Sequence, residues 1–176
     1  MPDVIALVGN PRRGSRTATL AAAIAAHAFG GEPVLLDLAE TVAIGFGPDA
    51  VWPVRARPDA RREVESATHL LVATPSYKGT YTGLLKVFLD QFAAGSLAGV
   101  IAVPLAIAGS AAHAVTTADD LARLLRELGA DVPLTLTAIE SELVDADELA
   151  TRLAGKIVDV VTPASTLSTN SVELPS

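Results

Sequence analysis

Cysteine is absent from this chain of 176 residues, and aromatic residues make up only 4% of it. Without cysteine the protein has no disulfide, no thiolate nucleophile and no cysteine-ligated metal. We therefore expect any redox chemistry to come from a bound cofactor. Half of the residues are apolar, which suffices for one globular domain and excludes a disordered or fibrous protein.

Long hydrophobic runs and an excess of basic charge are also missing. The longest apolar stretch, residues 97–112, is interrupted by Gly99, Pro104 and Gly109 and falls short of the roughly 20 residues of a membrane span. The amino terminus has no basic segment followed by an apolar one, so we expect no signal peptide and a cytoplasmic location. The formal net charge of −7 argues against nucleic acid or an anionic membrane as partner. No set of His, Asp and Glu has metal-ligand spacing, and we predict no metal site.

Five short runs are rich in Val, Ile and Leu, and most are continuously apolar rather than alternating. They lie at 4–8, 34–38, 70–74, 100–108 and 132–139. Continuous runs of this length are typical of strands in a parallel sheet that is covered on both faces. Pro104 and Pro133 interrupt two of the runs, and there we expect a bulge or the start of a strand.

Helix signals separate these runs, at 15–29, 58–67, 82–92, 112–128 and 145–161. The alternation predicts an α/β fold, namely a flavodoxin-like, doubly wound, five-stranded parallel sheet of order 2-1-3-4-5 with helices on both faces. We assign 1–161 to this domain and 162–176, rich in Ser, Thr and Pro, to a flexible C-terminal tail. The irregular segment 39–57 carries Phe46 and Trp52, which we expect at a dimer contact or in a wall of the ligand site.

The first loop, residues 9–17, reads Gly-Asn-Pro-Arg-Arg-Gly-Ser-Arg-Thr and stands between the first strand and the first helix. Unpaired N–H groups and the dipole at a helix start favour an anion. Ser15 and Thr17 add hydroxyl donors, and Arg12, Arg13 and Arg16 add guanidinium groups that suit phosphate oxygens. The alternative is a solvated basic turn with an ordinary N-cap.

Two phosphate-binding patterns fail in the first loop. Gly9 and Gly14 have Walker A spacing, but Ser15 and Arg16 stand where the motif needs Lys and Ser or Thr. Pro11 occupies the second glycine position of a dinucleotide fingerprint. What remains is a loop for a single terminal phosphate.

A second polar segment, residues 74–86, follows the third strand. Ligands in open α/β sheets bind beyond the carboxyl ends of the strands, at the point where the strand order reverses. The first and third strands flank that point, so we expect the first loop and this segment to face the same crevice. Both tyrosines of the chain, Tyr77 and Tyr81, lie here, and neither is expected to be plain core.

Four motifs together resemble the NADPH-dependent FMN reductase family, especially the flavin reductases that supply alkanesulfonate monooxygenases. They are Gly-Asn-Pro-Arg-x-x-Ser-Arg-Thr at 9–17, Ala-Thr-Pro-Ser-Tyr-Lys-Gly at 73–79, Gly-Leu-Leu-Lys-x-x-x-Asp at 83–90 and Pro-Leu-Ala-x-x-Gly-Ser-x-x-His at 104–113. Each motif alone is moderately specific for this family, and the occurrence of all four in order makes the resemblance strong. The resemblance covers about residues 3–140.

The resemblance implies three groups of FMN-binding residues. The phosphate would be held by Asn10, Arg12, Ser15, Arg16 and Thr17. The edge of the isoalloxazine ring would lie along Pro75, Ser76, Tyr77, Lys78 and Gly79. The loop on the far side of the flavin would contribute Gly109, Ser110 and His113.

Hydride transfer from the nicotinamide C4 to flavin N5 needs no protein nucleophile, only orientation and electrostatics. A cation near N1 and the C2 carbonyl would stabilise the reduced flavin, and Lys78 is our candidate catalytic residue, with a solvated loop lysine as the alternative. Lys86 instead has Asp90 four residues further along, which predicts a helix salt bridge. The sequence does not indicate whether NADH or NADPH is the preferred hydride donor.

The resemblance also implies partners. Relatives are homodimers or homotetramers, and we expect self-association through 39–57 and 78–92. A flavin-dependent monooxygenase would receive the reduced FMN. Two alternatives stay open: an enzyme with tightly bound FMN that reduces quinones or azo dyes, and a non-enzymatic electron carrier like flavodoxin. The three arginines of the first loop and the low aromatic content argue against the carrier.

Overall fold

A computed structural model describes residues 3–43, 55–56 and 59–167 of the chain. The order of elements is β1 (Val4–Val8), α1 (Arg16–Phe29), β2 (Val34–Asp37), α2 (Leu38–Thr41), β3 (Val42–Ala43), β4 (Arg55–Ala56), α3 (Ala60–Ser66), β5 (His69–Pro75), α4 (Gly83–Leu89), β6 (Ile101–Ala108), α5 (Ala111–Glu127), β7 (Leu136–Ile139), a 3₁₀ turn (Glu140–Asp145) and α6 (Ala146–Leu167).

The main sheet has five strands in the order β2-β1-β5-β6-β7, and every neighbouring pair is parallel. This is the predicted order 2-1-3-4-5, because β3 and β4 form a separate antiparallel pair. The strand order reverses between β1 and β5. The carboxyl ends of these two strands therefore border the crevice where a ligand is expected.

Apolar residues cover both faces of the sheet, which explains why the strand sequences do not alternate. On one face Ile5, Leu7 and Val72 pack against α3, α4 and α5. On the other, Ala6 and Val8 pack against α1 and α6. Alternate residues of each strand are thus buried on opposite faces of the sheet.

Pro104 does not produce the expected bulge, because it pairs with Val72 inside an uninterrupted strand. The N–H of Ala102, two residues earlier, points towards the β7 side and donates to the carbonyl of Asp131. Because the backbones of successive strand residues face alternate neighbouring strands, Pro104 also faces the β7 side. Pairing between β6 and β7 begins only at Leu105 and Leu136, one residue after Pro104. No strand hydrogen bond is lost there. Pro133 lies before β7, which therefore begins later than predicted.

Three segments differ from the sequence expectations or lie outside the described residues. Part of the segment 39–57 is regular, since α2, β3 and β4 form its ends, while Phe46 and Trp52 lie outside the described residues. The backbone of α6 continues to Leu167, beyond the predicted end of the last helix at 161. The tail beyond 167 also lies outside the description. None of the described helices is long and apolar enough to cross a membrane.

Candidate functional site

The first loop is held in shape by its own side chains. Asn10 is buried, and its Nδ2 donates to Thr17 Oγ1 over 3.0 Å. Its Oδ1 accepts the N–H of Arg12, also over 3.0 Å. Ser15 is the N-cap of α1, and its Oγ accepts the N–H of Ala18 over 3.2 Å. These bonds close the loop across the start of the helix.

The backbone N–H groups of residues 13–17 have no hydrogen-bond acceptor among the described residues. Gly14 has a φ of 56°, in the left-handed region that glycine adopts most readily. Successive unpaired N–H groups at a turn and a helix start form a concave anion site. The backbone of the first loop therefore has a geometry that suits an anion, and its role as a phosphate site stays a prediction.

The three arginines of the first loop differ in their contacts. Arg13 Nε donates to the carbonyl of Ala39 over 3.3 Å, so this guanidinium is partly engaged by α2. Arg12 and Arg16 are exposed and make no side-chain hydrogen bond or ion pair with any described residue. Arg12 and Arg16 are thus the arginines available for a ligand.

A cavity of about 370 Å³ lies against the first loop. It combines the polar donors of that loop with residues from three other strand ends. Its lining is Asn10, Arg12, Arg13, Gly14, Ser15, Arg16, Thr17, Pro75, Tyr77, Ile107, Glu140 and Leu143. Loops after β1 and β5 therefore share one cavity, as the sequence predicts.

A buried threonine joins the first loop to the segment after β5. Thr82 is the N-cap of α4; its Oγ1 donates to the carbonyl of Gly9 and accepts the N–H of Leu85. Its backbone N–H donates to Thr74 Oγ1 over 3.3 Å. A Cβ at Gly9 would lie only 2.6 Å from Leu85 Cβ, so glycine is required for this close approach.

The second loop, residues 75–80, turns sharply at its tip. Tyr77 and Thr80 pair through their backbones, with Tyr77 N–H donating to the Thr80 carbonyl over 2.9 Å. The two residues between them have positive φ, 57° at Lys78 and 85° at Gly79. Positive φ at both central positions is typical of a type I′ turn. The N–H groups of Lys78 and Gly79 have no acceptor among the described residues.

Helix α5 holds the second loop from the side. Thr117 Oγ1 donates to Ser76 Oγ over 2.8 Å, and Thr80 Oγ1 donates to Asp120 Oδ2 over 3.1 Å. The N–H of Ser76 also donates to the carbonyl of Ile107 over 2.7 Å. The loop is therefore bonded to both β6 and α5.

The predicted residues after β6 lie at the same end of the sheet. Ser110 is the N-cap of α5, and its Oγ accepts the N–H of His113 over 3.4 Å. Gly109, Ser110 and His113 are all exposed. They do not line the cavity against the first loop, and neither do Ser76, Lys78 or Gly79. Their roles towards a ligand stay predictions.

The 3₁₀ turn at 140–145 forms a wall of the cavity that no sequence pattern indicated. Glu142 fixes this turn, because its carboxylate accepts the N–H of Ile139 over 2.8 Å and bonds Arg152 over 2.6 Å. The Ile139 hydrogen bond is the main cause that holds the pKa of Glu142 below its ordinary value, and Arg152 adds to it. Leu143 and Glu140 are thereby held at the cavity.

The predicted salt bridge between Lys86 and Asp90 is confirmed. Tyr81, which was not expected to be plain core, is partly buried and packs against the cluster formed by α3, α4 and α5 without being one of its buried members. Tyr77 is 44% exposed and lines the cavity. Thr117 and Asp120 were not identified from sequence, because their contacts lie about 40 residues away.

A family model for NADPH-dependent FMN reductase matches residues 2–142. The chain belongs to this family. NADH-dependent FMN reductase SfnE of Pseudomonas putida is 32% identical over 163 residues, which are 88% of this chain and 86% of the relative. FMN reductase (NADPH) of Escherichia coli is 31% identical over 147 residues, 81% of this chain and 75% of the relative. The apo structure of an NADH:FMN oxidoreductase (EMOB) superimposes with a TM-score of 0.69 at 27% identity, covering 94% of each chain.

Membership of the FMN reductase family confirms the enzyme class, an NAD(P)H:flavin oxidoreductase, with FMN as the flavin and NADH or NADPH as the hydride donor. The residues of the cavity fit FMN. Five unpaired N–H groups, at 13–17, and the Arg12 and Arg16 guanidinium groups suit a phosphate dianion. Pro75, Ile107 and Leu143 offer apolar surface for the rest of the ligand.

Proposed function

We propose that this member of the FMN reductase family binds FMN by its phosphate in the first loop, reduces it with NADH or NADPH, and passes reduced FMN to a partner monooxygenase. The observation that carries the proposal is the set of unpaired backbone N–H groups at 13–17, which open into the cavity beside Arg12 and Arg16. Such a site suits a single terminal phosphate.

The direction of the hydrogen bonds within the first loop supports the phosphate assignment. Ser15 Oγ accepts a backbone N–H, so its own hydroxyl proton is available to donate to a phosphate oxygen. Thr17 Oγ1 likewise accepts from Asn10 and keeps its proton for the ligand. Asn10 therefore acts by orienting Thr17 and by closing the loop around Arg12, rather than by direct contact alone.

The second loop is assigned to the edge of the isoalloxazine ring. The free N–H groups of Lys78 and Gly79 suit the ring carbonyls and N5 as hydrogen-bond donors. The exposed Lys78 ammonium at the tip of the turn would stabilise negative charge on the reduced ring. Ser76, Gly109, Ser110 and His113 complete the surface around the ring in this proposal.

Release of FMN rather than tight retention follows from the openness of the site. The arginines that face the ligand are exposed, and Tyr77 is the one aromatic side chain among the described residues that line the cavity. One aromatic ring gives limited stacking on the isoalloxazine, so the phosphate contacts of the first loop would supply most of the affinity. The resemblance to flavin reductases that supply monooxygenases supports a partner of that class.

The test starts from the purified protein and its visible spectrum. We expect little bound flavin after dilution, and rapid oxidation of NADH or NADPH once free FMN is added. No oxidation of either nucleotide with FMN would contradict the reductase proposal. Flavin that co-purifies in stoichiometric amount, together with turnover only when a quinone or azo dye is added, would favour the enzyme with tightly bound FMN.

A further inference from the structure

The tip of the second loop has an unfavourable backbone conformation. Lys78 is the only non-glycine residue with positive φ in the part of the chain that the structure describes. Type I′ turns favour Asn or Gly at this position, and holding another residue in this sparsely populated backbone region costs free energy. Such a conformation persists only where surrounding contacts determine it.

Two side chains of α5 supply those contacts. Thr117 is fully buried on a face of α5 whose other members, Ala114, Ala118 and Leu121, are apolar. Its hydroxyl has one hydrogen bond to a side chain, the donation to Ser76 Oγ over 2.8 Å. Asp120 lies three residues further along α5, beside this face and only partly buried, and its Oδ2 accepts from Thr80 Oγ1 over 3.1 Å. The two bonds fix the loop on both sides of Lys78 and Gly79.

From this arrangement we propose that Thr117 and Asp120 are positioning residues for the reaction. They hold the second loop in the conformation that presents the Lys78 and Gly79 N–H groups to the ring, and they do not touch the ligand themselves. The inference rests on the proposed assignment of this loop to the flavin ring. Hydride transfer depends steeply on the relative placement of donor and acceptor, so loss of either bond lowers kcat.

Thr117→Val is the first test, because valine keeps the shape and removes the hydroxyl. We expect kcat with NADH or NADPH to fall by about tenfold, equally with FMN and with riboflavin, because both carry the same ring. Thr117→Ser keeps the donor and should restore most of the activity. Thr116→Val is the matched control, since Thr116 is exposed and bonds only the carbonyl of Ala112 on its own helix.

Asp120 provides an independent test on a less buried position. Asp120→Ala should lower kcat, and Asp120→Asn, which keeps an oxygen acceptor for Thr80, should restore it. Asp119→Ala is the matched control, because this neighbouring carboxylate is exposed. Asp120 also pairs with Arg123 over 3.6 Å, so Arg123→Gln removes the ion pair while leaving the bond to Thr80.

The outcomes separate positioning from mere stability. All rates are measured well below the melting temperature of each variant, together with the absorption spectrum of the flavin bound at saturation. A fall in kcat with a shifted flavin spectrum supports the inference. Wild-type kcat and spectrum in both Thr117→Val and Asp120→Ala overturn it, even if the melting temperature falls. If Thr117→Val does not fold, Asp120→Ala decides. Wild-type protein that oxidises no NAD(P)H with FMN contradicts the proposed function instead.

Discussion

The side-chain hydrogen bonds that shape the first loop are mostly internal to it, whereas those of the second loop go to side chains of α5 that lie 40 and 41 residues further along. In the first, Asn10, Ser15 and Thr17 bond each other or the adjacent backbone. In the second, Ser76 and Thr80 bond Thr117 and Asp120. Both loops border the same crevice, yet one depends on local sequence and the other on the packing of α5.

This difference suits the two tasks that we assign to the loops. A phosphate is a compact charge, and any concave set of N–H groups at a helix start binds it. A hydride transfer needs the ring and the nicotinamide placed within narrow limits. The comparison therefore predicts that variants in the first loop change binding, and variants around the second change rate.

The largest expected effect comes from removing donors in the first loop. The double variant Arg12→Ala, Ser15→Ala should raise KM for FMN by about 100-fold, since each hydrogen bond to a charged group contributes about 1.5–3 kcal/mol. KM for riboflavin, which has no phosphate, should change little, as should kcat. Steady-state kinetics with both flavins measures this.

A matched control for the double variant is Arg13→Ala. Arg13 belongs to the same loop, but its Nε is bonded to the carbonyl of Ala39. We expect a smaller increase in KM for FMN than in the double variant. An increase as large as that of the double variant would mean that loop charge alone, rather than the free donors, determines affinity.

Thr82 connects the two loops, and its replacement should affect both. Thr82→Val removes the N-cap of α4 and leaves the carbonyl of Gly9 without its donor. We expect the free energy of unfolding to fall by about 2 kcal/mol, with weaker binding of FMN and riboflavin alike. Chemical denaturation and fluorescence titration measure the two effects. Thr82→Ser keeps both hydrogen bonds and should behave like the wild type.

Lys78 allows charge and backbone conformation to be separated within the second loop. Lys78→Gln removes the charge and keeps the unfavourable φ, and should lower kcat by up to about tenfold. Lys78→Arg should retain most of the activity. Lys78→Gly relieves the φ of 57° and should not lower stability, although it also lacks the cation. An unchanged kcat in Lys78→Gln would show that Lys78 is a solvated loop lysine with no catalytic role.

The smallest expected effect lies at the opposite end of β5 from both loops. Burial lowers the pKa of His69 from its ordinary value of 6.5, and its ring packs on Phe29 with centroids 4.5 Å apart. The folded state thus favours neutral His69. Its contribution is present above pH 6.5 and is lost as the pH falls through the lower pKa of the folded state.

His69→Asn should therefore show a weaker loss of stability than the wild type as the pH is lowered from about 7.5 through the region below 6.5. Urea denaturation at several pH values measures the difference. FMN binding should respond to pH equally in both proteins, because His69 is remote from the ligand loops. A different response would mean that this end of β5 is coupled to the site.

The order of the sheet and the first loop were predictable from the sequence because both depend on local signals. Continuous apolar runs mark buried parallel strands, and the glycines, hydroxyls and arginines of the first loop follow each other within nine positions. Pro104 was misread because its tolerance depends on where β7 begins pairing, which no local pattern reveals. Regular structure near the segment 39–57 was missed for a similar reason, since β3 and β4 are only two residues each.

The parts of the site that the sequence did not indicate are all non-local. Glu140 and Leu143 reach the cavity because the 3₁₀ turn after β7 is fixed by Glu142. Thr117 stands out only as a hydroxyl on an otherwise apolar helix face, and that signal can be read only once the helix and its buried face are known. Asp120 resembles an ordinary surface carboxylate until its bond to Thr80 is seen.

In our proposal the first loop recognises the phosphate of FMN and the second loop serves the ring. Equilibrium titration of the wild type, the Arg12→Ala, Ser15→Ala variant and Thr117→Val with FMN and with riboflavin tests it most directly. We expect the preference for FMN over riboflavin to collapse in the first-loop variant and to persist in Thr117→Val. Equal losses for both flavins in the first-loop variant would contradict it.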